Sequence, residues 1–229
     1  VWLGDFLDLA MFGKFAQEAS FANTVQATID AGHRILAACR ATAPKARIRM
    51  LEGNHDSRLQ KFIQNNALAA FGLRRAELPG EWPVLSVPNL LRLDDLDVEY
   101  LAGYPATELW LNRNLRCIHG IKVRSASSTA AAVVDDERVS TIFGHVHRVE
   151  MMQRTRHTYD GPKVAVAATP GCLCRIDGVV PSTKSGVDLL GRPITSWENW
   201  NQGLAVVRFE PDDGRFDIDL APIHPLKDG

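Results

Sequence analysis

What this chain lacks excludes several classes of protein at once. Cysteine occurs at only four positions, Cys39, Cys117, Cys172 and Cys174, in 229 residues. That is no disulfide framework for a chain of this size, and it fits a reducing, cytoplasmic compartment. Cys39 falls on a predicted helix and Cys117 in a predicted strand, where a small buried hydrophobe is expected. Cys172-Leu173-Cys174 resembles half of a zinc clip, but no second pair completes it, and a structural role is expected there. Charge of one sign is also lacking. The 26 basic and 27 acidic residues leave a formal net charge of -1, so no global basic field invites nucleic acid or an anionic membrane. No run approaches the ~20 apolar residues of a membrane-spanning helix. There is no internal repeat and no low-complexity tract.

What is present is ordinary in bulk and specific in detail. A hydrophobic content of 45% with 23% charged residues suits a globular chain long enough for a substantial core. Along it lie four short polar clusters: Gly4-Asp5-Phe6-Leu7-Asp8, Gly53-Asn54-His55-Asp56, His119-Gly120 and Gly144-His145-Val146-His147. Each follows an apolar, strand-like run: Val1-Trp2-Leu3, Ile48-Arg49-Met50-Leu51, Leu115-Arg116-Cys117-Ile118 and Ser140-Thr141-Ile142-Phe143. Asp, Asn and His emerging together at strand ends describe a metal site rather than a core. Mixed oxygen and imidazole donors suit divalent Mn, Fe or Zn.

Periodicity fills in the rest. Phe15, Ala19, Ala22, Val25, Ile29, His33 and Leu36 recur at helical spacing and predict a helix over Lys14 to about Arg40, stopped by Pro44. Asp56 or Ser57 is placed to cap a second helix running to about Phe71, with Leu59, Phe62, Ile63 and Ala67 inward. An irregular insertion over the site is expected at about 72–95, where Pro79, Gly80, Pro83 and Pro88 break the pattern. Further strands are predicted at Val98–Leu101, Leu115–Ile118, Val139–Phe143, Val149–His157 and Lys163–Ala168, with a short helix at Ser125–Val134. A closing hairpin pairs Leu204–Glu210 with Phe216–Ala221. Strands alternating with helices, then strands alone, predict a single domain over 1–229 of α/β class, with two packed sheets and helices outside.

The ordered clusters give the chain a resemblance to the calcineurin-like metallophosphoesterases. That family runs Asp-x-His, Gly-Asp-x-x-Asp, Gly-Asn-His-Asp/Glu, a lone His, then Gly-His-x-His. Four of the five blocks stand here in order between Asp5 and His147. The Asp-x-His block belongs upstream of Val1, where the natural chain is expected to begin. Glu52 to Leu59 and the carboxyl-terminal stretch are similar to phage-encoded members, which implies host cytoplasm as the location.

The resemblance implies a layered αββα sandwich of two mixed sheets flanked by helices. It also implies two divalent ions (Mn, Fe or Zn) and hydrolysis of a phosphodiester or phosphomonoester by metal-activated water. Asp5 is then the carboxylate bridging both ions, about 3.5–4 Å apart. Asn54, His119 and His145 serve one ion, and His147 the other. His55 faces the phosphate as a proton donor, with Asp56 on its other ring nitrogen. Asp8 is assigned to the surroundings of the site. Arg58, Lys122, Arg124 and Arg148 are candidate phosphate clamps, each weighed against a solvated basic side chain. His33, His157 and His224 are expected to be structural.

Substrate identity is not legible. The ester is a small phosphate ester, a nucleotide or a nucleic acid, and a DNA nuclease of the repair and recombination type is one alternative. A non-catalytic phosphoesterase-like scaffold is another. Trp197 and Trp200, near the end of the loop 171–201, are expected to anchor it to the core rather than stack on bases.

Overall fold

Short apolar runs that pair in parallel carry the architecture. The computed structural model describes residues 1–14, 24–125, 127–176 and 199–224. The chain is mixed α/β, and its contacts divide the described residues into two compact units, Val1–Tyr104 and 105–176 with 199–224.

In the first unit, strand β1 (Ile48–Leu51) pairs in parallel with β2 (Val98–Leu101), Ile48 opposite Val98 and Leu51 opposite Leu101. The amino-terminal run joins the same ladder. Trp2 bridges Met50 in parallel, donating to the Arg49 carbonyl at 2.8 Å and accepting from Leu51 at 2.9 Å. Helix α1 (Thr24–Thr42) lays Ile29 and Leu36 into the core. Its predicted first turns, with Phe15, Ala19 and Ala22, lie outside the described residues. The Arg40 guanidinium closes its last turn by donating to the carbonyls of Pro44, Ala46, Leu96 and Asp97. Helix α2 (Arg58–Asn66) buries Leu59 and Ile63 and ends short of Phe71. Phe62 is 40% exposed rather than inward, off the face that Leu59 and Ile63 bury, with its ring 5.3 Å from that of Phe12.

The segment 72–95 corrects a sequence expectation. Its first half is irregular, but its second half is core. Ser86 caps a one-turn helix, α3 (Val87–Leu90), by accepting from the Asn89 amide at 3.4 Å, and Pro88 sits in its first turn, where no donor is lost. The turn drives Val87, Leu91 and Leu93 into the same cluster as Leu7, Leu36, Met50 and Tyr100. Each such fully buried apolar side chain stabilises the unit by about 1.5–3 kcal/mol.

The second unit is built on a five-stranded mixed sheet of order β3-β4-β5-β7-β6. Its strands are β3 (Glu108–Asn112), β4 (Leu115–Ile118), β5 (Ser140–Phe143), β6 (Val149–Thr158) and β7 (Gly161–Pro170). Strand β5 is buried along its whole length, as a central strand paired in parallel on both sides should be. The crossover from β4 to β5 carries helix α4 (Thr129–Glu137), whose Ala130, Val133 and Val134 pack with Phe143, Val146, Ala165 and Ala167. The hairpin β8 (Gln202–Phe209) and β9 (Phe216–Ile223) closes the chain, as its alternation predicts. Strand β3 was not predicted. It is an edge strand whose bulge between Trp110 and Asn112 disrupts the ladder.

Candidate functional site

In the first unit, two adjacent parallel segments end side by side and turn at the same edge. The first delivers Asp5, with Gly4 and Asp5 at φ of 90° and 54°. The second delivers Gly53 to Asp56. The two turns touch so closely that a Cβ built on Gly53 would lie 2.2 Å from Asp5 Oδ1 and 2.3 Å from the Asp5 nitrogen. Only glycine fits there. In return, the His55 backbone N–H donates to Asp5 Oδ1 at 2.7 Å.

Asp56 welds the same two turns from below. It is fully buried and accepts from the backbone amides of Gly53 at 2.9 Å, Leu7 at 3.1 Å and Phe6 at 3.4 Å. The expectation that Asp56 holds the His55 ring is therefore corrected. Asp8 does so instead, with Oδ1 2.7 Å from His55 Nδ1. A carboxylate only accepts, so the Nδ1 proton belongs to the histidine. Arg58 in turn fixes Asp8, donating to its carbonyl at 2.8 Å and to Oδ1 at 3.2 Å. Arg58 is thus engaged in ordering His55, through Asp8. The His55 Nε2 atom lies 3.8 Å from Asp5 Oδ2. Asn54 is half-buried, and its backbone carbonyl accepts from the Ser57 hydroxyl at 2.9 Å, which is why Ser57 provides no side-chain cap to α2.

Tyr104, just past β2, was not singled out from sequence. Burial raises its phenol pKa, and the nearby Asp5 charge adds to the effect. Lys61 stands over its ring at 5.4 Å. Its position beyond a parallel strand end is the signal that would have found it.

The second unit repeats the strand-end arrangement with imidazoles. Ile118 and Phe143 are register partners in parallel strands, so His119 and Gly144-His145 leave the sheet together. The Gly144 amide donates to the His119 carbonyl at 3.0 Å. His119 is 2% exposed. Its Nε2 lies 3.3 Å from His145 Nδ1, with the rings edge to face. His145 and His147 both have positive φ, 70° and 55°, so the Gly-His-x-His turn is a run of left-handed residues separated by the buried Val146. His147 presents its ring to Trp200 with centroids 4.4 Å apart, and its carbonyl accepts from the Asn201 amide at 2.8 Å. Trp200 therefore packs on a candidate ligand, and Trp197 lies outside the described residues.

The other proposed clamps are tied into the second unit's own framework. Lys122 pairs with Asp136. Arg148 binds the nearly buried Glu150 at 2.9 Å and donates to the Arg124 carbonyl and the Thr129 hydroxyl. Glu150 also accepts from the Ala130 amide at 2.9 Å, at the start of α4. Arg124 keeps an exposed side chain while its backbone N–H donates to Thr129. Of the remaining histidines, His33 bonds the Leu91 carbonyl at 2.9 Å, a structural contact between α1 and the core turn.

The donor set fits a borderline divalent ion. Two imidazole nitrogens on one tetrahedral ion, with bonds of about 2.0–2.1 Å, stand about 3.3 Å apart. That is the separation of His119 Nε2 and His145 Nδ1. The same separation also admits an N–H···N hydrogen bond between two neutral rings, one imidazole donating to the other. Comparisons with protein-family models, curated proteins and solved structures found no match.

Proposed function

We propose that this chain is a divalent-metal-dependent phosphoesterase acting on a phosphodiester or phosphomonoester. The observation that carries the reading is the pair of strand-end turns: Asp5 Oδ1 accepts the His55 amide at 2.7 Å in one unit, and His119 Nε2 lies 3.3 Å from His145 Nδ1 in the other. In this reading Asp5 and Asn54 contribute oxygen donors, and His119, His145 and His147 contribute imidazole, to a pair of Mn, Fe or Zn ions. Such ions, when bound, supply an activated water and neutralise charge on the phosphate.

The chain's own groups do the rest. Asp8 holds the Nδ1 proton of His55 and fixes the ring's orientation, turning Nε2 toward a phosphate oxygen or the leaving group as the proton donor. Arg58 keeps Asp8 in place. Asp56 keeps the Asp5 and Asn54 turns together, a positioning role that needs no contact with substrate. The αββα layering and the cytoplasmic, phage-type origin belong to the same proposal.

Hydrolysis of bis-p-nitrophenyl and p-nitrophenyl phosphate with Mn²⁺ tests it. Turnover should require the metal and fall by about 10³-fold or more in Asp5→Ala and His145→Ala. Turnover that persists in chelator refutes the reading.

A further inference from the structure

The Cys172-Leu173-Cys174 segment leaves the end of β7, and the phosphoesterase reading does not use it. In an extended strand, alternate residues stand about 6.6 Å apart, at the outer limit of disulfide geometry. Here the chain bends at Leu173 and Cys174 instead. The bend lets the Cys174 thiol hydrogen-bond the Cys172 sulfur, which lowers the Cys172 pKa despite partial burial.

Both residues are anchored from the same side. The Cys172 amide donates to the Asn201 carbonyl at 3.0 Å, and the Cys172 carbonyl accepts from Gly203 at 3.1 Å. Gln202 Nε2 donates to the Cys174 carbonyl at 2.8 Å. The Cys172 thiol points at the Asn201 carbonyl, 3.5 Å away. Cys174 is exposed and Cys172 half-buried, so a small oxidant reaches both. Cys117 is the internal contrast: burial pushes its thiol up to about 12 and encloses it. Asn201, which holds Cys172, also donates its amide to the His147 carbonyl.

We propose that Cys172 and Cys174 are a peroxide-sensitive dithiol, a modification site that closes reversibly as an intramolecular disulfide. The Cys172 thiolate attacks one oxygen of hydrogen peroxide, breaking the O–O bond, to give a sulfenic acid and, with one proton, water. The Cys174 sulfur then attacks the sulfenic sulfur, loses its own proton and expels a second water. Two thiols are oxidised by two electrons and one peroxide is reduced to two waters.

The test treats the intact chain with stoichiometric hydrogen peroxide, blocks remaining thiols with iodoacetamide and analyses peptides by mass spectrometry. The peptide holding both cysteines should lose about 2 Da, escape alkylation, and regain two alkylation sites after dithiothreitol. In Cys174→Ser the loss of about 2 Da should give way to a gain of about 16 Da or more on Cys172, which has no partner to resolve it. Alkylation of both residues after peroxide, over-oxidation of Cys172 in the wild-type chain, or a Cys172 left unoxidised and fully alkylated in Cys174→Ser overturns the proposal. The readout is mass alone, so failure of the phosphoesterase reading leaves it untouched.

Discussion

In the first unit, the turns after Leu3 and Leu51 are held by carboxylates that accept backbone amides, Asp56 from three of them and Asp5 from His55. In the second, the turns after Ile118 and Phe143 are held by backbone bonds from Gly144, Val146 and Asn201, with imidazoles facing one another. The strand-end device is the same in both: neighbouring parallel strands deliver polar residues at one edge, where open α/β sheets place ligands. The materials differ. The first unit assembles its turns with its own negative charge. The second brings two imidazole nitrogens together, where one ring's own N–H or a cation can lie between them. Deleting hydrogen bonds should therefore hurt the first unit most, and supplying metal should help the second most.

The sharpest way to break the first unit is Gly53→Ala. The added Cβ collides with the backbone and carboxylate of Asp5, neither of which is a flexible side-chain end. A loss of about 3 kcal/mol in the denaturant midpoint stability is expected; a loss below half of that would show that the two turns are not packed as described. Next comes Asp56→Asn, which turns an acceptor of three amides into a group with one acceptor and one donor. It should cost about 2–3 kcal/mol, again by chemical denaturation. Asp8→Asn should leave stability almost unchanged and lower kcat about ten- to hundredfold, because it removes the charge that holds the His55 proton. An equal effect from Asp56→Asn on kcat with full stability would restore Asp56 as the ring's holder.

The smallest effect probes the second unit's core through pH. Desolvation raises the folded Cys117 thiol from 9.0 to about 12, so the folded state favours the neutral form. Its contribution is full below the unfolded pKa and is lost as pH rises through 9.0 toward about 12. By a pH of about 10.5 the loss should reach about 2 kcal/mol, a difference that Cys117→Val removes. Parallel urea titrations of wild type and Cys117→Val at a pH of about 8 and of about 10.5 measure it.

Much of this was legible in sequence, and for a plain reason. Short runs such as Ser140–Phe143, apolar and bounded by glycine, state both the strand and the residues that leave it. The hydrophobic pattern also gave β6 to β9 nearly to their ends. The holder of His55 was not legible. Asp56 is its neighbour in sequence, but adjacent side chains in a tight turn diverge, and Asp56 goes to backbone while Asp8 arrives from another segment. Similarly, Leu91 and Leu93 sit in stretches too short for any period to show, and proline reads as a break in sequence although Pro88 opens a helical turn. The contact between Trp200 and His147 depends on tertiary packing alone.

The most direct measurement is calorimetric titration of the metal-stripped chain with Mn²⁺, an ion that favours oxygen and imidazole over thiolate and so avoids the cysteines. The account predicts saturable binding that disappears in His145→Ala and in Asp5→Asn while both variants remain folded. Binding that is absent from the wild-type chain, or unchanged in those variants, would contradict it.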